Sequence, residues 1–185
     1  DRSVVLIAAA ALSSTACAAG DWEVARFHGD QVHALYDFDR DSPLTFLLNH
    51  DVLGFLAAWG SHYYWALGYT EKGRKASLAY LESAPRIDHS FNMLWALTGG
   101  TSGLIHFGDT KRALECNREA RALVREHAMS FGENGPCNYF GGPALIADGQ
   151  FAEGYEMATR GVAFWNSAGG ELMDPWVNNL RAYAL

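Results

Sequence analysis

The chain has 185 residues, of which 49% are hydrophobic and 19% charged, as expected of a globular protein with a sizeable core. Its formal net charge of −7 disfavours nucleic acid and anionic membranes as partners. The cysteines Cys17, Cys116 and Cys137 are odd in number and widely spaced, which argues against a disulfide framework and predicts buried thiols in a reducing cytoplasm.

The first apolar stretch, residues 3–19, has two interpretations. It could be a secretory leader that ends at a lipoprotein cysteine, Cys17, although Arg2 is the only basic residue before it and Ser14 stands where such a site prefers Leu. We interpret it as the first helix, because it keeps the repeat spacing described below. No apolar run reaches transmembrane length. Since the chain does not begin with Met, we expect it to be a piece of a longer protein.

Apolar periodicity and capping signals predict an all-α protein without strands. In chain order the predicted helices cover residues 3–19, 21–37, 51–67, 69–83, 89–107, 109–127, 136–148, 151–167 and 171–185. The stretches from Asp37 to Pro43, from Ser83 to Asp88 and from Ser130 to Pro136 carry helix-breaking residues and are interpreted as connections. Pro143 should kink the helix over 136–148, and we favour close packing there over a kink that opens a groove.

Four glycines recur with nearly one period and divide these helices into pairs. Gly20, Gly68, Gly108 and Gly149 follow one another at gaps of 48, 40 and 41 residues. Small residues precede each glycine by seven positions and follow it by five, as close approach of paired helices requires. The preceding set is Ser13, Ser61, Thr101 and Gly142, and the following set is Ala25, Gly73, Ala113 and Gly154. A period of this size indicates stacked helical hairpins.

These glycines and small residues, together with Ala120 twelve positions after Gly108, resemble tetratricopeptide (TPR) repeats, although the usual period is 34 residues. The Trp of that motif is absent. A closer resemblance covers nearly the whole chain and rests on residues 35–37, 49–51, 65–69, 161–165, 169–172 and Pro175. These segments are similar to the C-terminal TPR-like region of large bacterial signalling proteins, in which an adenylate/guanylate cyclase domain and an AAA-type ATPase module precede the repeats. The motifs of those catalytic modules lie outside this sequence, so no catalytic residue follows from the resemblance.

The resemblance and the glycine spacing together predict one domain over residues 1–185. We expect a right-handed α-α superhelix of four TPR-like antiparallel hairpins followed by a final helix. The N-cap positions expected for two of the inner helices are Asp88 or Ser90 and Asp109.

The candidate metal and phosphate sites each have a simpler structural interpretation. Residues 37–41 begin like a calcium loop, but Ser42 and Leu48 stand where Gly and Glu are needed. His28 and His33 are five residues apart and share no helix face as a metal pair would. The glycine-rich stretches 132–136 and 141–143 lack the Gly-Lys-Ser/Thr of a phosphate loop. The arginines and glutamates of 112–126 form a solvated face of mixed charge.

We therefore expect no catalytic, cofactor-binding or metal-binding residue, and no enzyme activity in this chain. A Cys-His nucleophile is the open alternative, but buried thiols are commoner.

In TPR-like hairpins the first helix of each pair lines a concave groove. The expected lining is aromatic and weakly polar, and suits an apolar or aromatic protein segment better than an acidic one. The groove residues of this prediction are Phe55, His62, Trp65, Trp95, Ser102 and Tyr139. A non-catalytic scaffold that binds a protein or peptide, including other domains of its own chain, is the predicted function. The alternatives are a small-molecule sensor using the same groove and a structural spacer or dimerisation module.

The two end helices are predicted to leave apolar surface open. In residues 171–185, Leu172, Trp176, Leu180 and Tyr183 form one stripe, so Met173, Val177 and Ala184 should stay uncovered. Residues 3–12 are apolar nearly all round. Since solenoid ends are normally capped by polar faces, we expect at least one end to be covered by the rest of the protein or by a second copy.

Overall fold

The computed structural model describes residues 1–169 and 174–185, and all secondary structure within them is helical. The all-α prediction is confirmed. The chain divides into two compact units, Asp1–Ala96 and Leu97–Leu185, and each is described by itself. Among the described residues no helix combines the length and the apolar character that crossing a bilayer requires.

The first unit is built on two helical hairpins. Helices α1 and α2 pair with each other, α5 packs against both, and α6 pairs with α5. The core includes apolar clusters centred on Leu6 and Leu56, on Tyr63 and Tyr64, and on Tyr80. The helices are α1 (Arg2–Ala18), α2 (Trp22–Leu35), α3 (Phe38–Asp41), α4 (Thr45–Leu48), α5 (Val52–Ala66), α6 (Thr70–Ser83) and α7 (Ser90–Leu97), with 3-10 turns at Ser42–Leu44 and Ala84–Arg86.

The second unit is arranged around one central helix. Helix α11 contacts α8, α9, α10, α12 and α13, and every residue from Pro136 to Ile146 is buried. This burial explains why α11 is apolar on all sides. The elements are the 3-10 turn Gly99–Thr101, α8 (Ser102–His106), α9 (Thr110–Glu126), α10 (Ser130–Asn134), α11 (Pro136–Ala147), α12 (Phe151–Ser167) and α13 (Asp174–Tyr183).

The four recurring glycines end helices as predicted, because each adopts a left-handed conformation with φ between +78° and +84°. In each turn the N–H of the residue after the glycine donates to the carbonyl of the residue four positions before the glycine, at 2.8–2.9 Å. This bond closes the last helical turn. The donor and acceptor pairs are Asp21 and Ala16, Tyr69 and Tyr64, Asp109 and Leu104, and Gln150 and Leu145. Gly169 adopts the same conformation after α12, with φ +78°.

The small residues on either side of each glycine are buried, and two hairpins show why they are small. Between α1 and α2, the Ser13 hydroxyl donates to the carbonyl of Ala25 at 2.7 Å. Between α11 and α12, a Cβ added to Gly154 would lie 2.8 Å from the Gly142 carbonyl oxygen. The predicted close approach is confirmed in both hairpins.

The prediction of one continuous helix over residues 89–107 is wrong. The chain leaves the helical path at Thr98 and makes a 3-10 turn before α8 begins. Glycines at positions 99 and 100 are poor helix formers. The hydroxyls of Thr101 and Ser102 also bond to backbone carbonyls three residues back, both at 2.7 Å, and such local bonds compete with regular helix.

Two predicted connections contain short helices that sequence reasoning read as irregular. Residues 37–50 include α3 and α4, and residues 130–134 form α10. Asp37 caps α3 by accepting the N–H of Arg40 at 3.1 Å. Asp109 stands at the N-cap of α9, but its side chain makes no capping bond. Pro143 lies buried inside α11.

The prediction for the last helix is partly wrong. Val177 is completely buried, whereas Tyr183, assigned to the packed stripe, is 80% exposed. Helix α13 packs against α11 and α12, and Val177 belongs to the side that turns inward. Leu172 and Met173 lie outside the described residues. In the first helix, Val4, Val5 and Leu12 remain more than half exposed, in line with the open apolar face expected there.

Candidate functional site

Helix α5 carries a row of partly exposed aromatic side chains, of which Trp59 also packs against the apolar cluster of Tyr63 and Tyr64. Phe55, Trp59, His62 and Trp65, called the α5 aromatic face from here on, follow one another at spacings of four, three and three residues. The first three are half-buried and Trp65 is 52% exposed. Phe55 and Trp59 meet edge to face with ring centroids 6.3 Å apart. The opposite side of α5 is buried through Leu56, Ala57, Gly60, Tyr63 and Tyr64.

The structure brings only some of the predicted groove residues together. Phe55, His62 and Trp65 share α5, and Trp95 lies half-buried on α7 beside Phe91, with ring centroids 6.2 Å apart.

Ser102 and Tyr139 belong to the second unit and are both buried. Ser102 donates to the carbonyl of Gly99, and the Tyr139 ring meets the Trp165 ring at 6.2 Å. The predicted lining residues that keep exposed surface are therefore Phe55, His62 and Trp65 on α5 and Trp95 on α7.

A surface pocket of about 280 Å³ lies between α2, α5 and α6. We call it the α6 pocket. Its apolar walls include the methyl groups of Ala76 and Ala79, and Tyr64 lies buried beneath it. The charged and polar residues that line it are Asp30, His33, Lys72 and Lys75.

One carboxylate organises the charges of the α6 pocket. Asp30 Oδ1 accepts from Lys72 Nζ at 2.6 Å and from the Tyr64 hydroxyl at 3.2 Å. Asp30 Oδ2 accepts from Arg26 at 3.1 Å. Burial works to raise the pKa of Asp30, but these donors outweigh it and leave the pKa below its usual value. The carboxylate is therefore ionised at neutral pH and holds Lys72 against the Tyr64 ring, 4.7 Å from its centroid.

His33 stands at the mouth of the same pocket. Burial, followed by the positive charge of Lys72, lowers its pKa below 6.5, and the charge of Asp30 opposes this. His33 nevertheless keeps an exposed surface, so water weakens the effect of both charges. Because its pKa lies below 6.5, the imidazole is mostly neutral at pH 7, with one nitrogen available as a donor and one as an acceptor.

A second polar network is buried in the first unit and has a structural role. Asp51, 2% exposed, caps α5 by accepting the N–H of Gly54 at 2.8 Å, and it also accepts the Tyr36 hydroxyl at 2.6 Å. Its own N–H donates to Asn92 Oδ1 at 2.9 Å, and the Tyr80 hydroxyl donates to the same oxygen at 3.1 Å. These bonds join the end of α2 to α5, α6 and α7.

In the second unit Arg121 has the corresponding role. Its guanidinium donates to Asn138 Oδ1 at 2.8 Å and to Asn117 Oδ1 at 3.3 Å, and it pairs with Glu133. The Arg121 side chain is only 20% exposed. The predicted solvated face of mixed charge therefore does not include Arg121, which ties α9 to α10 and α11. Arg118 and Arg125 do lie exposed.

The three cysteines are buried and form no disulfide bond with one another, as predicted. Burial raises the pKa of Cys17 to about 12 and those of Cys116 and Cys137 to about 11. Since the thiolate is the reactive form, these values disfavour a cysteine nucleophile at neutral pH.

Within residues 1–169 and 174–185, no three or more His, Cys, Asp or Glu side chains are grouped so that they could hold a metal ion. In the stretch that resembles a calcium loop, Asp41 is 3% exposed. Its carboxylate already accepts from the Arg40 guanidinium at 2.6 Å and from the N–H of Asp37 at 2.9 Å.

Sequence reasoning missed both the α6 pocket and the network around Asp51. The lysines at positions 72 and 75 share a helix face, and an Asp just before an apolar helix is a capping signal. Both signals are local. Neither says that Asp30 or Asn92, about forty residues away in sequence, completes the arrangement.

Comparison of the chain with protein-family models, with curated proteins and with solved structures finds no match. The resemblance to TPR repeats and to the cyclase-linked signalling proteins therefore stays a prediction.

Proposed function

We propose that this chain is a non-catalytic helical-repeat scaffold that binds a protein or peptide segment through the α5 aromatic face. One observation carries this proposal: a tryptophan, Trp65, is 52% exposed at the end of a row of half-buried aromatic side chains. Tryptophan is the residue most enriched where binding energy concentrates at protein interfaces.

The chemistry of the face indicates the partner. Phe55, Trp59 and Trp65 offer apolar surface, and His62 adds one weakly polar group. No lysine or arginine belongs to this row. An apolar or aromatic segment therefore suits the face, whereas an acidic segment has no cation there to pair with.

The proposal includes two wider expectations. One is that the hairpins stack into a right-handed TPR-like superhelix in the cytoplasm. The other is that the scaffold serves a bacterial signalling protein with a cyclase and an ATPase module. The second expectation rests only on the resemblance of residues 35–37, 49–51, 65–69, 161–165, 169–172 and Pro175.

A small-molecule sensor that uses the same aromatic residues is the alternative function, and thermal shift separates it from the scaffold. A ligand that binds only the folded protein raises the melting temperature with its concentration. For the scaffold we expect a saturable rise with aromatic peptides and none with a panel of metabolites. A saturable rise with one metabolite that is lost in Trp65→Ala would contradict the scaffold and support the sensor.

Self-association is a further part of the proposal, carried by the first helix. The face of α1 with Val4, Val5, Ala8 and Leu12 is exposed and has no charged side chain. Burying such a face against a second copy removes apolar area from water. Sedimentation analysis should show a concentration-dependent mass that Val5→Lys abolishes, with exposed Lys111→Ala as the control. A monomer at every concentration contradicts this part.

A further inference from the structure

We propose that the α6 pocket binds a small organic carboxylate with an apolar body. This site is separate from the α5 aromatic face and does not depend on the scaffold function.

The α6 pocket carries an excess of positive charge in an acidic protein. Lys72 and Lys75 are three residues apart on α6 and line the pocket together with a single acid, Asp30. Lys75 takes part in no ion pair among the described residues. Lys75 is exposed at this surface pocket, and its positive charge is opposite in sign to the net charge of −7 of the whole chain.

Asp30 pairs with Lys72 and Arg26 and forms no ion pair with Lys75. Its two oxygens already accept from Lys72, Tyr64 and Arg26. These three donors use most of the acceptor sites of the carboxylate, and the contacts fix Asp30 and Lys72 in place. Lys75 is thus left to bind an external anion, and the neutral imidazole of His33 can donate a second hydrogen bond to it.

The volume and the walls of the α6 pocket suit a small, partly apolar molecule. About 280 Å³ is close to the lower end for ligand sites, so a small molecule fits and a nucleotide does not. Ala76 and Ala79 line the pocket with methyl groups, and the aliphatic stem of Lys75 adds apolar surface beneath its charged head. A carboxylate attached to a small ring or a short alkyl group would pair with the Lys75 ammonium and make apolar contact with the pocket walls.

Benzoate is a suitable probe, and nuclear magnetic resonance of the full chain is the measurement. We expect saturable shifts of the backbone amides of residues 72–79, with a dissociation constant of about 1 mM. Benzamide has the same shape without the charge and should bind at least about tenfold more weakly. Acetate lacks the apolar body and should also bind more weakly. Equal binding of benzoate and benzamide, or tighter binding of inorganic phosphate, would overturn the proposal.

Two variants locate the site. Lys75→Met keeps the stem and removes the charge, and should weaken benzoate about tenfold. Lys111→Met, at an exposed position on α9, is the matched control and should change nothing. Ala79→Phe, at an exposed position, fills the pocket and should abolish the shifts while the helical circular dichroism is retained. Equal benzoate affinity in Lys75→Met and Lys111→Met, or undiminished binding in Ala79→Phe, contradicts the assignment.

Discussion

The hairpins of the two units have the same turns but join their helices differently. In the first unit, glycine makes room for a tyrosine: a Cβ on Gly54 would meet the Tyr80 ring, and a Cβ on Gly29 would meet the Tyr63 hydroxyl. In the second unit, glycine makes room for backbone: a Cβ on Gly161 would lie 2.4 Å from the amide nitrogen of Tyr139. One seam is thus filled by large side chains and the other by direct contact of two helices.

This difference has a functional meaning. Helix α11 is buried on every side, and its glycine-lined contact with α12 leaves no side chain there to turn outward. Helix α5 instead buries one side and leaves Trp65 exposed on another. Exposed rings on a firmly packed helix suit binding, so the first unit is the better candidate for recognition.

The largest effect is expected from Gly161→Ala. The added methyl group would lie 2.4 Å from the Tyr139 nitrogen and 2.5 Å from its Cα, and two packed helices must separate to admit it. We expect a loss of about 3 kcal/mol in the free energy of unfolding. The matched variant Gly29→Ala meets only the tip of Tyr63 and should cost clearly less. Urea titration followed by circular dichroism measures both, and equal losses would break the comparison.

Asp51→Ala should have the next largest effect, because the first unit depends on polar side chains. The variant removes the cap of α5 and leaves the buried Tyr36 hydroxyl without its acceptor. We expect a loss of about 2 kcal/mol. Asp21 caps α2 from an exposed position, so Asp21→Ala should cost about 0.5–1 kcal/mol. Similar losses in the two variants would show that the buried network adds nothing to the cap.

The turn after α9 offers a gain in stability. Ala128 is left-handed, with φ +52°, and the N–H of Met129 donates to the Val124 carbonyl at 2.9 Å, as in the glycine turns. An L-residue with a Cβ is strained there. Ala128→Gly should therefore stabilise the protein by about 0.5–1 kcal/mol, and Gly108→Ala should destabilise it by about 1 kcal/mol. A destabilising Ala128→Gly would contradict this assignment of strain.

The smallest effect is a pH dependence in the first unit. The hydrogen bond from Arg40 holds the pKa of Asp41 below 3.8, although burial opposes it. A carboxyl whose pKa is lower in the folded than in the unfolded state stabilises the fold above pH 3.8. This contribution is lost as the pH falls through the pKa of the folded state. The stability difference between the native chain and Asp41→Asn should thus shrink below pH 3.8, whereas exposed Asp39→Asn should show little difference throughout. A constant difference at all pH values contradicts the assignment.

The parts of the fold that could be predicted are those that short sequence spacings determine. Gly20, Gly68, Gly108 and Gly149 need a left-handed conformation, and the flanking small residues permit close helices, so turns and seams followed from the sequence. The break at Gly99–Gly100 was missed because apolar periodicity continues across it. The buried Val177 was missed because its partners, α11 and α12, are set by tertiary packing.

The candidate sites were less accessible to sequence reasoning. Phe55, His62 and Trp65 of the α5 aromatic face were predicted together because their spacing lies within one helix, whereas Trp59 was not predicted. The α6 pocket combines Asp30 of α2 with Lys72 and Lys75 of α6, and the Asp51 network reaches forward to Asn92. Which distant residues meet depends on how hairpins stack, and no local pattern encodes that.

The most direct test of the scaffold proposal is peptide binding by matched tryptophan variants. Aromatic peptides selected from a random library on the full chain are titrated, and binding is followed by calorimetry. We expect Trp65→Ala to weaken the selected peptides at least about tenfold, as loss of a central interface tryptophan does. Trp22→Ala, at a position 37% exposed on α2, should bind like the native chain. Equal affinities for Trp65→Ala and the native chain, or selection of acidic peptides only, would contradict binding at the α5 aromatic face.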